Sequence, residues 1–241
     1  MKKTRILLAL GLLTMPFMSH ARASDSESVI KVVTENSVKE VIDNYVKAIG
    51  GETKMKSVRN IEMKMLAEIQ GMNLDIHSVV DQENQKLLNV TEMNGNVVSK
   101  TVVKEGAGKV MAMGQEQVLT EQQLGAFKNQ MYGFQELFLD ELGITATYEG
   151  TEVIEGEEAH KLTFESGGDA NTTEYYSVET GLKVQTVSNT AGTISYKDYK
   201  EVDGLMMPMT LVISNAMLPM PLEAKVTFVK LNQDLDDSVF N

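Results

Sequence analysis

The sequence predicts a mainly β protein of the α+β kind: a strongly curved antiparallel sheet or half-open β-barrel of about eleven strands, with an N-terminal helix and a central helical lid. Three observations predict it. From residue 60 onward apolar residues recur at every second position, the period of a strand with one buried face. Short turns built on Asn-Gly, Glu-Gly, Thr-Gly and Asp-Gly pairs punctuate these runs. Apolar residues at helical spacing are confined to two segments, 37–49 and 120–143. A two-layer β-sandwich is the rival arrangement.

The chain opens with a basic stretch, MKKTR, an apolar run, ILLALGLLTMPFM, and Ala21-Arg22-Ala23. Together these read as a signal peptide, residues 1–23, cleaved after Ala23, with an apolar run too short to span a bilayer. Residues 24–36 are polar and are expected to form a flexible N-terminus. Ser37 and Glu40 make a capping-box pattern ahead of Val38, Val41, Ile42, Tyr45, Val46 and Ile49, and Gly50-Gly51 stops that helix.

In NIEMKMLAEIQG, Ile61, Met63, Met65, Ala67 and Ile69 share one face, and beyond Gly71 the residues Leu74 and Ile76 of MNLDIHSVV continue it. QKLLNVTEM and NVVSKTVVK meet at Asn94-Gly95, a two-residue hairpin signal, and KVMAM extends the meander. The segment 120–143 interrupts it as one kinked or two short amphipathic helices ending at Gly143. Strands then resume from ITATYEG to EAKVTFVKL, with LMMPMTLVIS read as one strand that places Met207, Met209, Leu211 and Ile213 on its apolar face. Pro219 and Pro221, which lack a backbone donor, exclude a central strand after it.

The leader holds four basic and no acidic residues, which leaves 18 basic against 34 acidic residues in the remaining 218, a net charge of −16. Such a surface repels phosphate backbones and anionic headgroups, so neither nucleic-acid binding nor electrostatic membrane docking is expected. Cysteine is absent, so stability must come from the core alone, and a cysteine-linked lipid anchor is excluded.

Catalytic groups are sparse. The chain beyond the leader has two histidines, His77 and His160, and contains neither a nucleophile elbow, a zinc-protease helix nor a phosphate-binding glycine loop. His77 shares the polar face of its strand with Asn73 and Asp75. Asp140 and Glu141 are adjacent in a helix and diverge by about 100°. No catalytic residue, cofactor or metal site is therefore expected. The positive anomaly is methionine, 13 residues beyond the leader. An unbranched, polarizable side chain fills irregular volumes and suits varied apolar ligands. Clusters such as Met111-Ala-Met113 and Met206-Met207-Pro-Met209 also leave open a thioether site for Cu(I).

The stretch SYKDYKEVDGLMMPMTLVI resembles the Y-x-x-Y-x-x-V-D-G strand pair of the LolA/LolB-like superfamily of periplasmic outer-membrane lipoprotein carrier and sorting proteins. VKLNQDLDDSVFN is similar to that family's closing strand, and VIDNYVKAIGGETKMKSVRNIEMKM resembles the helix-to-first-strand entry of its Bacteroidetes-type variants. The resemblance implies a lipid-binding domain over 37–241, in which a half-open barrel and a helical lid enclose an apolar cavity for acyl chains. It also implies a strand arginine that helps to hold the lid closed, for which Arg59 is the candidate here.

The expected cavity wall comprises Met63, Met65, Leu74, Ile76, Leu88 and Val90 from the first meander, with Met207, Met209, Leu211 and Ile213 from the later strand. Phe134, Leu137 and Phe138 are expected on the lid. The expected activity is non-catalytic: a soluble periplasmic carrier or sensor of lipid or lipoprotein acyl chains, without stable membrane insertion, that meets inner- or outer-membrane lipoprotein-sorting partners. The alternatives are an interaction module for a periplasmic peptidase or envelope partner, and a methionine-based copper binder.

Overall fold

The structure, a computed structural model, describes residues 35–112, 114–166, 171–189, 191–216 and 218–241. The expected signal peptide, residues 24–34, Met113 and Met217 lie outside the described residues. The first helix, α1 (Glu35–Ile49), is followed by the short α2 (Glu52–Lys56). Ser37 thus lies inside α1 and does not cap it, and Glu35 and Asn36, assigned from sequence to the polar N-terminus, are helical.

Six strands follow as a meander: β1 (Asn60–Ile69), β2 (Met72–Asp81), β3 (Lys86–Met93), β4 (Asn96–Lys104), β5 (Ala107–Ala112) and β6 (Gln115–Val118). The helical insertion holds α3 (Glu121–Lys128), single 3-10 turns at Asn129–Met131 and Gln135–Leu137, and α4 (Leu139–Leu142). The second series is β7 (Thr145–Ile154), β8 (Glu157–Glu165), β9 (Thr172–Ser177), β10 (Lys183–Ser188) and β11 (Gly192–Lys197). A small ribbon of β12 (Lys200–Val202) and β13 (Leu205–Met207) precedes β14 (Thr210–Ser214) and β15 (Leu222–Leu231).

Thirteen of these strands form one antiparallel sheet in the order β6-β5-β4-β3-β2-β1-β15-β14-β11-β10-β9-β8-β7, curved but not closed. This is the half-open arrangement the sequence predicts, with two more strands in the sheet than expected. The turns follow the anticipated chemistry: Asn94 and Gly95, between β3 and β4, both take positive φ (50° and 78°), the conformation of a two-residue hairpin matched to strand twist. The topology also explains the lid. The first meander ends at one edge of the sheet, β6, and the second begins at the opposite edge, β7, so the segment between them has to cross the sheet.

Cross-strand register separates the two faces. Ile61 stands opposite Val80, Val80 opposite Leu87 and Leu87 opposite Val103 on the inner face. Glu62, Val79, Leu88 and Val102 form the adjacent row on the outer face. Leu88 and Val90 therefore point away from the concave side that was expected to hold them. They pack with Val79 and Phe240, the last delivered by the C-terminal turn Asp237–Phe240. The physical reason is that LLNV is apolar in both phases of a two-residue period, so alternation alone cannot choose the face.

LMMPMTLVIS is likewise two strands. Pro208 cannot donate to a ladder, and around it the chain leaves the β12–β13 ribbon and joins the main sheet as β14. Leu205 and Met207 enter the core beneath α1, whereas Met209 and Ile213 belong to a separate cluster with Leu74 and Leu222. Residues 218–221, with Pro219 and Pro221, contain no strand, as their chemistry demands.

Candidate functional site

The crossing segment is fixed at both ends by its own sequence. Thr120 caps α3 reciprocally with Gln123: the Thr120 amide donates to Gln123 Oε1 at 2.9 Å, and the Gln123 amide donates to Thr120 Oγ1 at 3.4 Å. Phe127 and Met131 then sink into a cluster with Leu87, Val103 and Val110 of the inner face. In the middle, Gly133 lies so close to β1 that a Cβ there would stand 2.5 Å from Ile61 Cδ1. Its amide donates to Gln82 Oε1 at 3.3 Å. Phe134 and Leu142 are buried in the core formed with α1, and Leu137 and Phe138 pack against it. The Phe138 ring meets that of Tyr132 at 5.0 Å between centroids.

Beneath the lid, between α1 and the sheet, is a cavity of about 320 Å³. One part is apolar, walled by Ile49, Ile61, Met63, Val80, Met207 and Leu211. The other is polar and contains Tyr45, Glu136, Lys183, Tyr196 and Tyr199. Ser78, Gln130 and Gln135 also line it, so polar groups stand beside an apolar wall, a form that small-molecule sites take.

The polar part is a buried ionic cluster that joins the lid to the sheet. Lys183 Nζ of β10 lies 2.5 Å from Glu136 Oε1, in the lid, and 3.1 Å from Glu174 Oε2, in β9. The carboxylate side chains are 2% and 1% exposed, so both charges depend on these partners. Tyr176 donates to Glu136 Oε1 at 2.9 Å, and Thr172 and Thr186 donate to the two Glu174 oxygens at 2.7 and 2.5 Å. The Lys183 ammonium also lies 5.5 Å from the Tyr176 ring centroid and 5.8 Å from that of Tyr45.

Burial is the largest single influence on Lys183 and disfavours its charge. The summed attraction of Glu136 and Glu174, aided by Tyr176 and Tyr45, outweighs it and holds the Lys183 pKa well above the usual lysine value. Burial, followed by the Glu136 charge, pushes the Tyr45 and Tyr176 phenols well above the usual range.

The predicted residues are divided among five places. Met63, Met207, Leu211 and Phe134 line the cavity. Met65, Leu74, Ile76, Met209 and Ile213 form or flank the neighbouring apolar cluster with Leu222 and Ala224. Leu137 and Phe138 support the lid, and Leu88 and Val90 stand on the outer face. Arg59 is exposed, its guanidinium 3.5 Å from the Asn232 carbonyl oxygen and 3.9 Å from Glu83, not against the lid. It sits in the turn before β1, where the side chain is directed to the loops around it. The cationic contact to the lid comes instead from Lys183.

Sequence reasoning missed Glu136, Glu174, Lys183 and the four tyrosines around them. The available signal was TTEYYSVETGLKV, in which Glu174 and Tyr176 alternate on one face of a strand. A charged residue in phase with a large aromatic one on a covered face is a buried ion in need of a partner.

No family model matches the chain, and no curated protein matches it. Solved structures of low sequence identity share its fold. A DUF1329 family protein from Desulfovibrio piger has a TM-score of 0.56 at 11% identity, covering 85% of this chain and 97% of that one. A LolA superfamily protein from Nitrosomonas europaea has a TM-score of 0.54 at 14% identity, covering 87% and 98%. A domain assigned to outer-membrane lipoprotein sorting, from Vibrio parahaemolyticus, has a TM-score of 0.54 at 8% identity, covering 85% and 97%. At these identities the likeness concerns fold, and at that level the family resemblance in the sequence is met: the chain has a LolA-like fold, a curved open sheet closed over by helices.

Proposed function

We propose that this chain is an exported, non-catalytic carrier or sensor that holds an acyl chain of a lipid or lipoprotein beneath its lid. The observation that carries this reading is the cavity of about 320 Å³, apolar on the side of Met63 and Leu211 and polar on the side of Tyr45 and Lys183. Such an arrangement matches an amphiphile, with the tail among thioether and branched side chains and the head among hydroxyls and paired charges. At about 0.8 kcal/mol per buried methylene, about ten carbons offer on the order of 8 kcal/mol before association and ordering are subtracted.

The fold shared with a lipoprotein-sorting domain supports a place in envelope lipid traffic, by analogy of fold. The leader-like residues 1–23 support a periplasmic location, and no helix among the described residues is long and apolar enough to cross a membrane. In this reading the lid segment 121–142 opens for loading and release, and sorting complexes of the inner or outer membrane are the partners. Lipid-stripped protein titrated with N-phenylnaphthylamine, an uncharged apolar fluorophore, should show saturable micromolar binding, reversed by a synthetic acylated peptide but not by its unacylated form. Absence of saturable binding would contradict the reading.

A further inference from the structure

We infer that the cavity selects its ligand by head group: it takes a single-chain amphiphile with an uncharged, hydroxyl-bearing head, such as a glycerol monoester, and rejects a carboxylate or phosphate head. The inference rests on the acyl-binding reading above and goes beyond it.

Size sets the first limit. At about 320 Å³ the cavity lies at the small end of ligand-pocket volumes. It gives room for one inserted chain rather than for two or three side by side.

Charge sets the second. Glu136 and Glu174 contribute two negative charges against the one positive charge of Lys183, and as whole residues they are 5%, 1% and 9% exposed. The cluster therefore carries a net charge of −1 where water screens it weakly. A carboxylate or phosphate head at that end would be a further buried anion of like sign without a free cation to meet it.

Hydrogen bonding sets the third. The Tyr45 side chain lines the cavity, is 6% exposed, and makes no hydrogen bond to a described residue through its hydroxyl. Its hydroxyl opens to the cavity, where a ligand can meet it. A ligand hydroxyl both donates and accepts, so it can satisfy Tyr45 while donating to Glu136 or accepting from Lys183. A hydroxyl does this without adding charge, as no ionised head can.

The test displaces N-phenylnaphthylamine from lipid-stripped protein with 1-decanoylglycerol or with decanoate, near pH 8 where decanoate is ionised. The glycerol ester should displace the probe at a concentration at least about tenfold lower than decanoate. Glu174→Gln, which removes one negative charge outside the cavity wall, should narrow that ratio severalfold, as should Glu136→Gln if its lid still closes. Equal displacement by the two competitors, or a ratio unchanged in Glu174→Gln, would overturn the selectivity and leave the acyl cavity standing. Failure of the probe and both competitors to bind would remove the acyl cavity and this inference together.

Discussion

The ammonium of Lys183 lies 2.5 Å from the carboxylate of Glu136, tying a strand of the sheet to the lid from within the core. Neither residue could be recognised as a latch in the sequence, because the strand and the lid segment meet only after the chain has crossed from β6 to β7. Both side chains are nearly dry, so the pair stabilises the closed form only while it is intact.

Lys183→Met leaves two buried carboxylates without their cation and should destabilise the protein by about 3–5 kcal/mol. Equilibrium urea unfolding measures this. The triple substitution Glu136→Gln, Glu174→Gln and Lys183→Met removes all three charges and should cost less than Lys183→Met alone. A larger loss in the triple variant would mean that packing, not charge, dominates there.

Stability should also fall at high pH. The folded-state pKa values of Lys183, Tyr45 and Tyr176 are raised, so the folded protein retains protons that the unfolded chain releases above about pH 10. Their contribution is fully present below the unfolded values and is lost as pH rises toward and through the folded ones. Unfolding free energies measured stepwise from neutral pH to pH 11 should be flat and then decline. Tyr45→Phe should soften the decline, and a rise above pH 10 would contradict the assignment.

Gly133→Ala should loosen the lid. Its Cβ would lie 2.5 Å from Ile61 Cδ1, so either the buried Ile61 side chain or the Tyr132–Phe134 turn has to shift. Overpacking of this kind costs about 1–3 kcal/mol. Hydrogen exchange across residues 129–142 should speed up in this variant, and Ile61→Ala in the same chain should restore the wild-type rate.

Leu88→Ala separates the outer face from the cavity. Leu88 is 4% exposed against Phe240 and Val79, so truncation should cost about 2–5 kcal/mol of stability. Affinity for an apolar probe should stay within about twofold, since the affected contacts lie across the sheet from the cavity. A large loss of affinity without loss of stability would return Leu88 to the site.

The legible parts of the fold were those with a local cause. Asn94-Gly95 specifies its own hairpin, and Gly143, at φ 65°, ends α4, whereas the cap of Thr120 and Gln123 at the start of α3 emerged only in the structure. Met63, Met207, Leu211 and Phe134 were legible as inward residues because strand alternation or the lid pattern places them. Leu88 and Val90 were not, because the outer face of β3 is apolar too and is covered by a segment some 150 residues downstream. The break at Pro208 was visible as chemistry but not as a change of sheet. The ionic cluster was least legible: Glu136, Glu174 and Lys183 look like ordinary surface charges until the topology brings them together.

The central claim is that the hollow under the lid holds an apolar chain. Met63→Trp tests it most directly, because the larger ring would fill the space between β1 and Leu211 without touching the ionic cluster. Wild-type protein stripped of lipid should bind N-phenylnaphthylamine saturably, and the Met63→Trp variant, folded by circular dichroism, should lose at least about tenfold in affinity. Equal binding by both proteins, or none by the wild type, would contradict the claim.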